Sequence, residues 1–198
     1  MSALPVVPTL PVVIVLAAGR GERFLASGGA AHKLDTLLDG KAVLSHTLEA
    51  VHASGLAWHL VRPEGGTGGM GESIAMGVQA TAEAAGWLIL PGDLPLVQAT
   101  TLQRVAEALA EQAIVVPHFH QQQGHPVGFG RSYADALASL RGDVGAAAIV
   151  REARACGNVQ DLPVADDGIV RDVDTRADLG LVQDLLRARR LQIHSPTQ

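Results

Sequence analysis

Residues 12–16, Val-Val-Ile-Val-Leu, run directly into Ala17-Ala18-Gly19-Arg20-Gly21-Glu22-Arg23, and this junction constrains the fold more than any other part of the chain. Five apolar, mostly β-branched residues in a row leave no polar face, so a strand built from them must be covered on both sides. Such a strand belongs in a parallel sheet between helical layers. The small residues that follow clear side chains from the strand exit, which lets backbone N–H groups approach anionic oxygens. Arg23 and Lys33 add cations. The loop lacks the third glycine of a dinucleotide fingerprint, because Phe24 stands there, and no Gly-Lys-Ser/Thr follows it. Its chemistry suits a nucleoside triphosphate; the competing reading is a glycine turn with a purely structural purpose.

The rest of the chain alternates strand-like and helix-like segments, as an α/β fold with a mostly parallel sheet requires. Strands are expected at residues 58–61, 87–90, 113–116 and 169–173, with an extended stretch at 125–129. Helices are expected at 45–53, 73–85, 100–111, 133–140, 144–155 and 176–190. Asp39-Gly40 marks a tight turn. Length and hydrophobic content, 198 residues and 47%, fit one domain over residues 10–191 with tails at 1–9 and 192–198. Aromatic residues make up only 3%, so the core is aliphatic.

A net charge of −5 without a long basic run gives no electrostatic footprint for nucleic acid. Cys156 is the only cysteine, which excludes an intramolecular disulfide, suits a reducing compartment and reads as a small buried side chain. The N-terminal stretch is broken by prolines and lacks a basic region, unlike a signal peptide. No apolar run approaches the ~20 residues needed to span a bilayer. A soluble, cytoplasmic protein is expected.

Three carboxylates, Asp93, Asp143 and Asp174, follow predicted strands or turns, where open α/β sheets place ligands. Asp93 sits in Pro91-Gly92-Asp93-Leu94-Pro95 and Asp174 in Asp172-Val173-Asp174-Thr175. Both settings suit Mg²⁺, which takes one or two carboxylates plus phosphates and water. Each also has a plainer reading: Asp93 as a turn residue, Asp174 as a helix N-cap, Asp143 as a helix-start turn. Ser73 reads either as a cap or as part of a helix N-terminus that contributes N–H groups to an anion. His118 and His120 would share one strand face, but no recognisable ligand spacing completes a zinc site with His125. Arg187, Arg189 and Arg190 suit a helix C-terminus.

Leu16-Ala17-Ala18-Gly19 with Arg23 and Lys33, Gly69-Met70-Gly71-Glu72-Ser73, Gly92-Asp93-Leu94-Pro95, Gly124-His125-Pro126, Gly142-Asp143-Val144-Gly145-Ala146 and Asp172-Val173-Asp174-Thr175 occur in that order. Together they resemble the nucleotidyltransferase family that includes molybdenum cofactor cytidylyltransferase and molybdopterin-guanine dinucleotide synthase. The resemblance implies a Rossmann-like α/β/α sandwich of the glycosyltransferase A type. It implies CTP or GTP as donor, with Leu-Ala-Ala-Gly resembling the cytidylyl branch, and molybdopterin or molybdenum cofactor as acceptor. Leu16, Ala17, Ala18, Gly19, Arg23, Lys33, Gly71 and Ser73 would bind nucleotide, Asp93 and Asp174 would hold Mg²⁺, and His125 and Asp143 would face the acceptor. Lys33, Asp93 and Asp174 would be the catalytic set. A molybdoenzyme is a candidate partner. The alternatives are a transferase acting on a sugar phosphate or other small phosphate, and a non-catalytic chaperone for molybdenum cofactor.

Two departures from the family pattern carry expectations of their own. Phe24-Leu25 replaces the usual Met-Gly, and the segment up to Lys33 is expected as a longer, more mobile phosphate loop. Only about ten residues separate Trp58 from Gly69, so the sheet is expected to lack one helix–strand unit.

Overall fold

The computed structural model describes residues 10–193. The strands are β1 (Val12–Leu16), β2 (Leu37–Leu38), β3 (Lys41–Ala42), β4 (Trp58–Val61), β5 (Gly86–Pro91), β6 (Ile114–Phe119), β7 (Gln122–Gln123), β8 (Val127–Gly130) and β9 (Val159–Pro163). The helices are α1 (Glu22–Ala26), α2 (Val43–Ser54), α3 (Met70–Ala80), α4 (Ala99–Ala108), α5 (Ala134–Ala138), α6 (Ala147–Ala155) and α7 (Arg176–Ile193). The expected tails at 1–9 and 194–198 lie outside the described residues, whereas Gln192 and Ile193 continue α7.

β1 pairs in parallel with β4 on one side and β5 on the other, with Ile14 opposite both His59 and Ile89. The seven-stranded sheet continues through β8, antiparallel to β5 and β6, and β6 pairs in parallel with β9. Alternate residues of β1 enter opposite cores. Val13 and Val15 pack with Val43 and Val51 of α2, Leu102 and Val105 of α4 and Val182 of α7. Ile14 packs with Ile74 and Val78 of α3, Leu137 of α5 and Val150 of α6. The result is a three-layer α/β/α sandwich with a mixed, mostly parallel sheet, as the apolar run at 12–16 predicts. Each fully buried Val, Leu or Ile side chain in these layers contributes about 1.5–3 kcal/mol.

β2 and β3 form a separate hairpin around Asp39 (φ 51°) and Gly40 (φ 86°), the left-handed pair a two-residue hairpin turn demands. Among the described residues β4 pairs only with β1, and residues 62–69 lead straight into α3.

The strand expected at 169–173 is instead a 3-10 turn at Asp167–Val170. Gly168 abuts the Leu96 carbonyl so closely that a Cβ would lie 2.1 Å from it, and Asp166 accepts a hydrogen bond from the Gly168 N–H at 3.0 Å. That local bond favours a turn over a ladder. The strand that takes the place beside β6 is β9, whose half-exposed Val-Gln-Asp-Leu-Pro sequence has no apolar run to mark it. Cys156 is exposed at the end of α6 rather than buried. The C-terminal arginines bridge elements instead of only complementing a helix end: Arg189 reaches Asp167 and the Leu96 carbonyl, and Arg190 pairs with Asp39.

Asp166 is 3% exposed and gathers three segments. Its carboxylate accepts from the Gln98 N–H (2.9 Å) and Thr101 Oγ1 (2.8 Å) at the start of α4, as well as from Gly168. Arg189 of α7 approaches it at 3.6 Å. Asp166→Ala would leave those donors unpaired and is expected to cost about 3 kcal/mol. Urea unfolding checks this: the midpoint should fall with the slope unchanged.

Candidate active site

The turn carrying Asp93 is held by short contacts at the carboxyl ends of β1 and β5. The Gly92 N–H donates to the Leu16 carbonyl at 2.8 Å, and Thr47 Oγ1 donates to the Gly92 carbonyl at 3.0 Å. A Cβ on Gly92 would come within 3.0 Å of the Leu16 carbonyl oxygen, so the turn needs glycine to seat Asp93 beside the β1 exit. The Val173 N–H donates to the Asp93 carbonyl at 3.0 Å, which brings the 172–174 segment alongside.

At the start of α7, Thr175 and Asp178 form a reciprocal cap. The Thr175 N–H donates to Asp178 Oδ2 at 2.7 Å, and the Asp178 N–H donates to Thr175 Oγ1 at 3.2 Å. Thr175 and Asp178 therefore cap the helix, and the Asp174 side chain reaches elsewhere. Lys33 Nζ donates to Asp93 Oδ2 and to Asp174 Oδ1, each at 2.6 Å, and Arg23 pairs with the other Asp174 oxygen. The structure thus brings Lys33, Asp93, Asp174 and Arg23 together from four separate segments.

Burial opposes the Lys33 charge, but Asp93 and Asp174 more than offset it and hold the ammonium pKa above its usual value. Burial likewise opposes ionisation of Asp174, yet Lys33 and Arg23 bring its pKa below the usual carboxylate range. Asp172 moves the other way: burial and the nearby Asp93 charge raise its pKa.

A cavity of about 590 Å³ opens over this group. Leu16, Ala18, Gly19, Arg23, Lys33, Ser73, Asp93, Asp143 and Asp174 line it, while Ala17 is buried beneath the loop. Thr67 and Phe24 also line it and carried no separate signal: Thr67 lies within a glycine run, and Phe24 reads as a break in the phosphate motif. The segment expected as a mobile loop contains α1 and is anchored by the buried Phe24 ring, against which Gly29 packs.

Gly71 does not line the cavity. A Cβ there would lie 2.3 Å from the Val144 carbonyl, so Gly71 lets the 141–144 loop sit on α3. The amides of Gly71 and Ser73 in the first turn of α3 are already used, because Gly71 donates to the Gly142 carbonyl at 2.8 Å and Ser73 to the Gly69 carbonyl at 3.1 Å. Ser73 therefore presents its hydroxyl, bonded to Thr67 Oγ1 at 2.7 Å, rather than a free amide. His125 also does not line the cavity. Among the described residues its Nδ1 is buried without a partner, and burial lowers its pKa despite an Ile89 backbone bond and the Asp93 charge.

His118 bonds to Asp161 at 3.0 Å, and His120 turns out of β6 with φ 52°. The two imidazoles do not form a shared strand face. Among the described residues no helix is long and apolar enough to cross a membrane.

The carboxylates fit a divalent cation. Asp93 Oδ1 is buried with no hydrogen-bond partner, and the Lys33 ammonium already demonstrates that a positive charge is accommodated between Asp93 and Asp174. Hard oxygen donors of this type suit Mg²⁺ or Mn²⁺.

The α/β/α sandwich with a glycine-rich β1 exit is the architecture of an NTP transferase domain. The chain belongs to the MobA-like NTP transferase family, whose domain model matches residues 13–158. The bifunctional protein GlmU of Azoarcus sp. (strain BH72) is 29% identical over 147 residues, covering 63% of this chain and 31% of the relative. The chain thus spans less than a third of the length of that curated relative. Rv0371c from Mycobacterium tuberculosis H37Rv has the same fold, with TM-score 0.71 and 24% identity over 88% of this chain and 98% of that one. Its complex with manganese gives a TM-score of 0.68 at 22% identity over the same shares, 88% and 98%. A nucleotidyl transferase from Methanothermobacter (Mth528) gives 0.73 at 20% identity, covering 90% of this chain and 99% of that one.

Lys33→Met would leave Asp93 and Asp174 facing each other. A loss of about 3 kcal/mol is expected at pH 7, the lower end for a broken buried pair, because Asp174 keeps 27% exposure. The folded pKa of Asp174 is depressed, so its contribution is present above the unfolded carboxylate range and is lost as pH falls through the folded value. The raised Lys33 pKa acts only in alkali, where its contribution is lost as pH rises through the folded value. The urea-midpoint gap between wild type and Lys33→Met should therefore narrow from pH 7 towards pH 3; a constant gap would contradict this coupling.

Proposed function

We propose that the protein transfers a nucleoside monophosphate, CMP in preference to GMP, from the triphosphate to the terminal phosphate of molybdopterin or molybdenum cofactor. The observation that carries this reading is Lys33 bridging Asp93 and Asp174 at the floor of a cavity fed by the glycine-rich loop. Ala18 in the Leu16–Gly19 segment supports cytidine. Asp143 lines the same cavity, which supports an acceptor-facing position. His125, half-buried and outside the cavity lining, is the other candidate for that side.

In this reading Gly19, Arg20 and Gly21 receive the phosphates, while Arg23 and Lys33 move from Asp174 and Asp93 to phosphate oxygens. Asp93 and Asp174 would hold Mg²⁺, which would supply Lewis-acid polarisation of the α-phosphate. The manganese complex of Rv0371c supports a divalent cation on this fold. An oxygen of the acceptor phosphate forms a bond to the α-phosphorus, and the bond from that phosphorus to the α–β bridging oxygen breaks. The electron pair leaves with pyrophosphate. Lys33 and Arg23 stabilise the charge gathering on the leaving group, and the chain itself supplies no nucleophile. Keeping Lys33 with both carboxylates supports catalysis over a carrier role, since a carrier needs no such charge control.

Pyrophosphate release from CTP and GTP, with Mg²⁺ and molybdopterin or molybdenum cofactor, tests the reading. Release with CTP is expected, and Asp93→Ala should lower kcat by about 10³-fold or more without unfolding the chain. Release only with a sugar phosphate would replace the acceptor. Nucleotide binding with no release for any acceptor would favour a molybdenum cofactor chaperone.

A further inference from the structure

His32 lies outside the cavity lining yet touches both structures that form its phosphate end. Its Nδ1 accepts from the Leu34 N–H at 3.3 Å, capping the 3-10 turn Lys33–Asp35, and its Nε2 lies 2.7 Å from the Gly19 carbonyl oxygen. One ring nitrogen that accepts leaves the other to carry the proton, so the neutral ring donates from Nε2 to Gly19. The imidazole also lies under Gly21, where a Cβ would come within 3.4 Å of it, and Gly21 has φ +65°. A larger residue at that position would be strained and would crowd the ring.

The bond to Gly19 sets the orientation of a peptide plane. In a trans peptide the C=O and the following N–H point in opposite directions. Drawing the Gly19 carbonyl toward His32 therefore turns the Arg20 N–H away from the ring, and Gly19 and Arg20 both line the cavity. The turn that carries Lys33 is held from its other end as well, because Arg62, just beyond β4, donates to both Asp35 oxygens at 2.8 and 2.7 Å. Asp35 lies 3.9 Å from His32 Nδ1 and is the carboxylate that faces the ring.

We propose that His32 is a positioning residue for nucleotide binding: it fixes the Gly19–Arg20 peptide toward the phosphates and ties that loop to the Lys33 turn. The inference rests on the reading of the cavity as a triphosphate site.

His32→Asn and His32→Gln separate the two bonds. Asn places an acceptor near Nδ1 and keeps the cap, but it is too short for Gly19; Gln places a donor near Nε2 and keeps the reach. Titration of CTP and GTP in Mg²⁺ against wild type, both variants and Lys33→Ala, together with KM, kcat and Tm, tests the assignment. His32→Asn is expected to weaken binding and raise KM about tenfold, the scale of one hydrogen bond near 1.4 kcal/mol, with kcat nearly unchanged. His32→Gln should remain within about threefold of wild type. Wild-type affinity in His32→Asn would overturn the proposal, as would an equal loss in both variants, which would place the effect in ring packing under Gly21. Absence of CTP and GTP binding by wild type itself would instead overturn the triphosphate reading.

Discussion

β1 is hydrogen-bonded to a parallel neighbour on each side, and its side chains alternate between two separate apolar cores. A strand in that position cannot shift register by one residue without exchanging every side chain between layers. Its carboxyl end is consequently a fixed point. The Gly19 loop, the Gly92 turn and the 172–174 segment are all referenced to it through backbone bonds, so the precision of the site derives from the burial of five apolar residues well behind it.

The second level of organisation is electrostatic. Asp93 and Asp174 are too far apart in sequence to be related by any local motif, and each is substantially desolvated. Two such carboxylates side by side repel unless a cation lies between them, and Lys33 meets that need from a turn more than fifty residues from the nearer one. The capping pair at Thr175 and Asp178 matters because it relieves Asp174 of a helix-terminal duty and frees its oxygens for Lys33 and Arg23.

The buried layers were legible in sequence because their pattern is strong. The 12–16 run, the Asp39-Gly40 turn and the apolar segment preceding Asp93 all report backbone environments that few other sequences satisfy. β9 was not legible, since an edge strand with one buried residue needs only its partner β6 and little hydrophobicity of its own. The turn at Asp167–Val170 was masked for the opposite reason: its apolar residues are buried, but Asp166 and the close approach of Gly168 to Leu96 dictate a helical turn. At the candidate site, residue types singled out Lys33 and the two carboxylates, which the fold brings into contact. Spacing could not show that Gly71 serves packing, that the Gly71 and Ser73 amides are occupied by Gly142 and Gly69, or that His125 Nδ1 is buried.

Counting formal charges, the pairing of Asp93 and Asp174 with Lys33 and Arg23 forms an electroneutral resting quartet. Ligand entry at such a quartet is a counter-ion exchange rather than the filling of a bare charged hole. A polyanion that draws off Lys33 and Arg23 uncovers two carboxylates, and a cation that engages the carboxylates releases two donors. Each half-exchange alone leaves like charges facing one another, so each of two oppositely charged ligands supplies the counter-charge that entry of the other displaces.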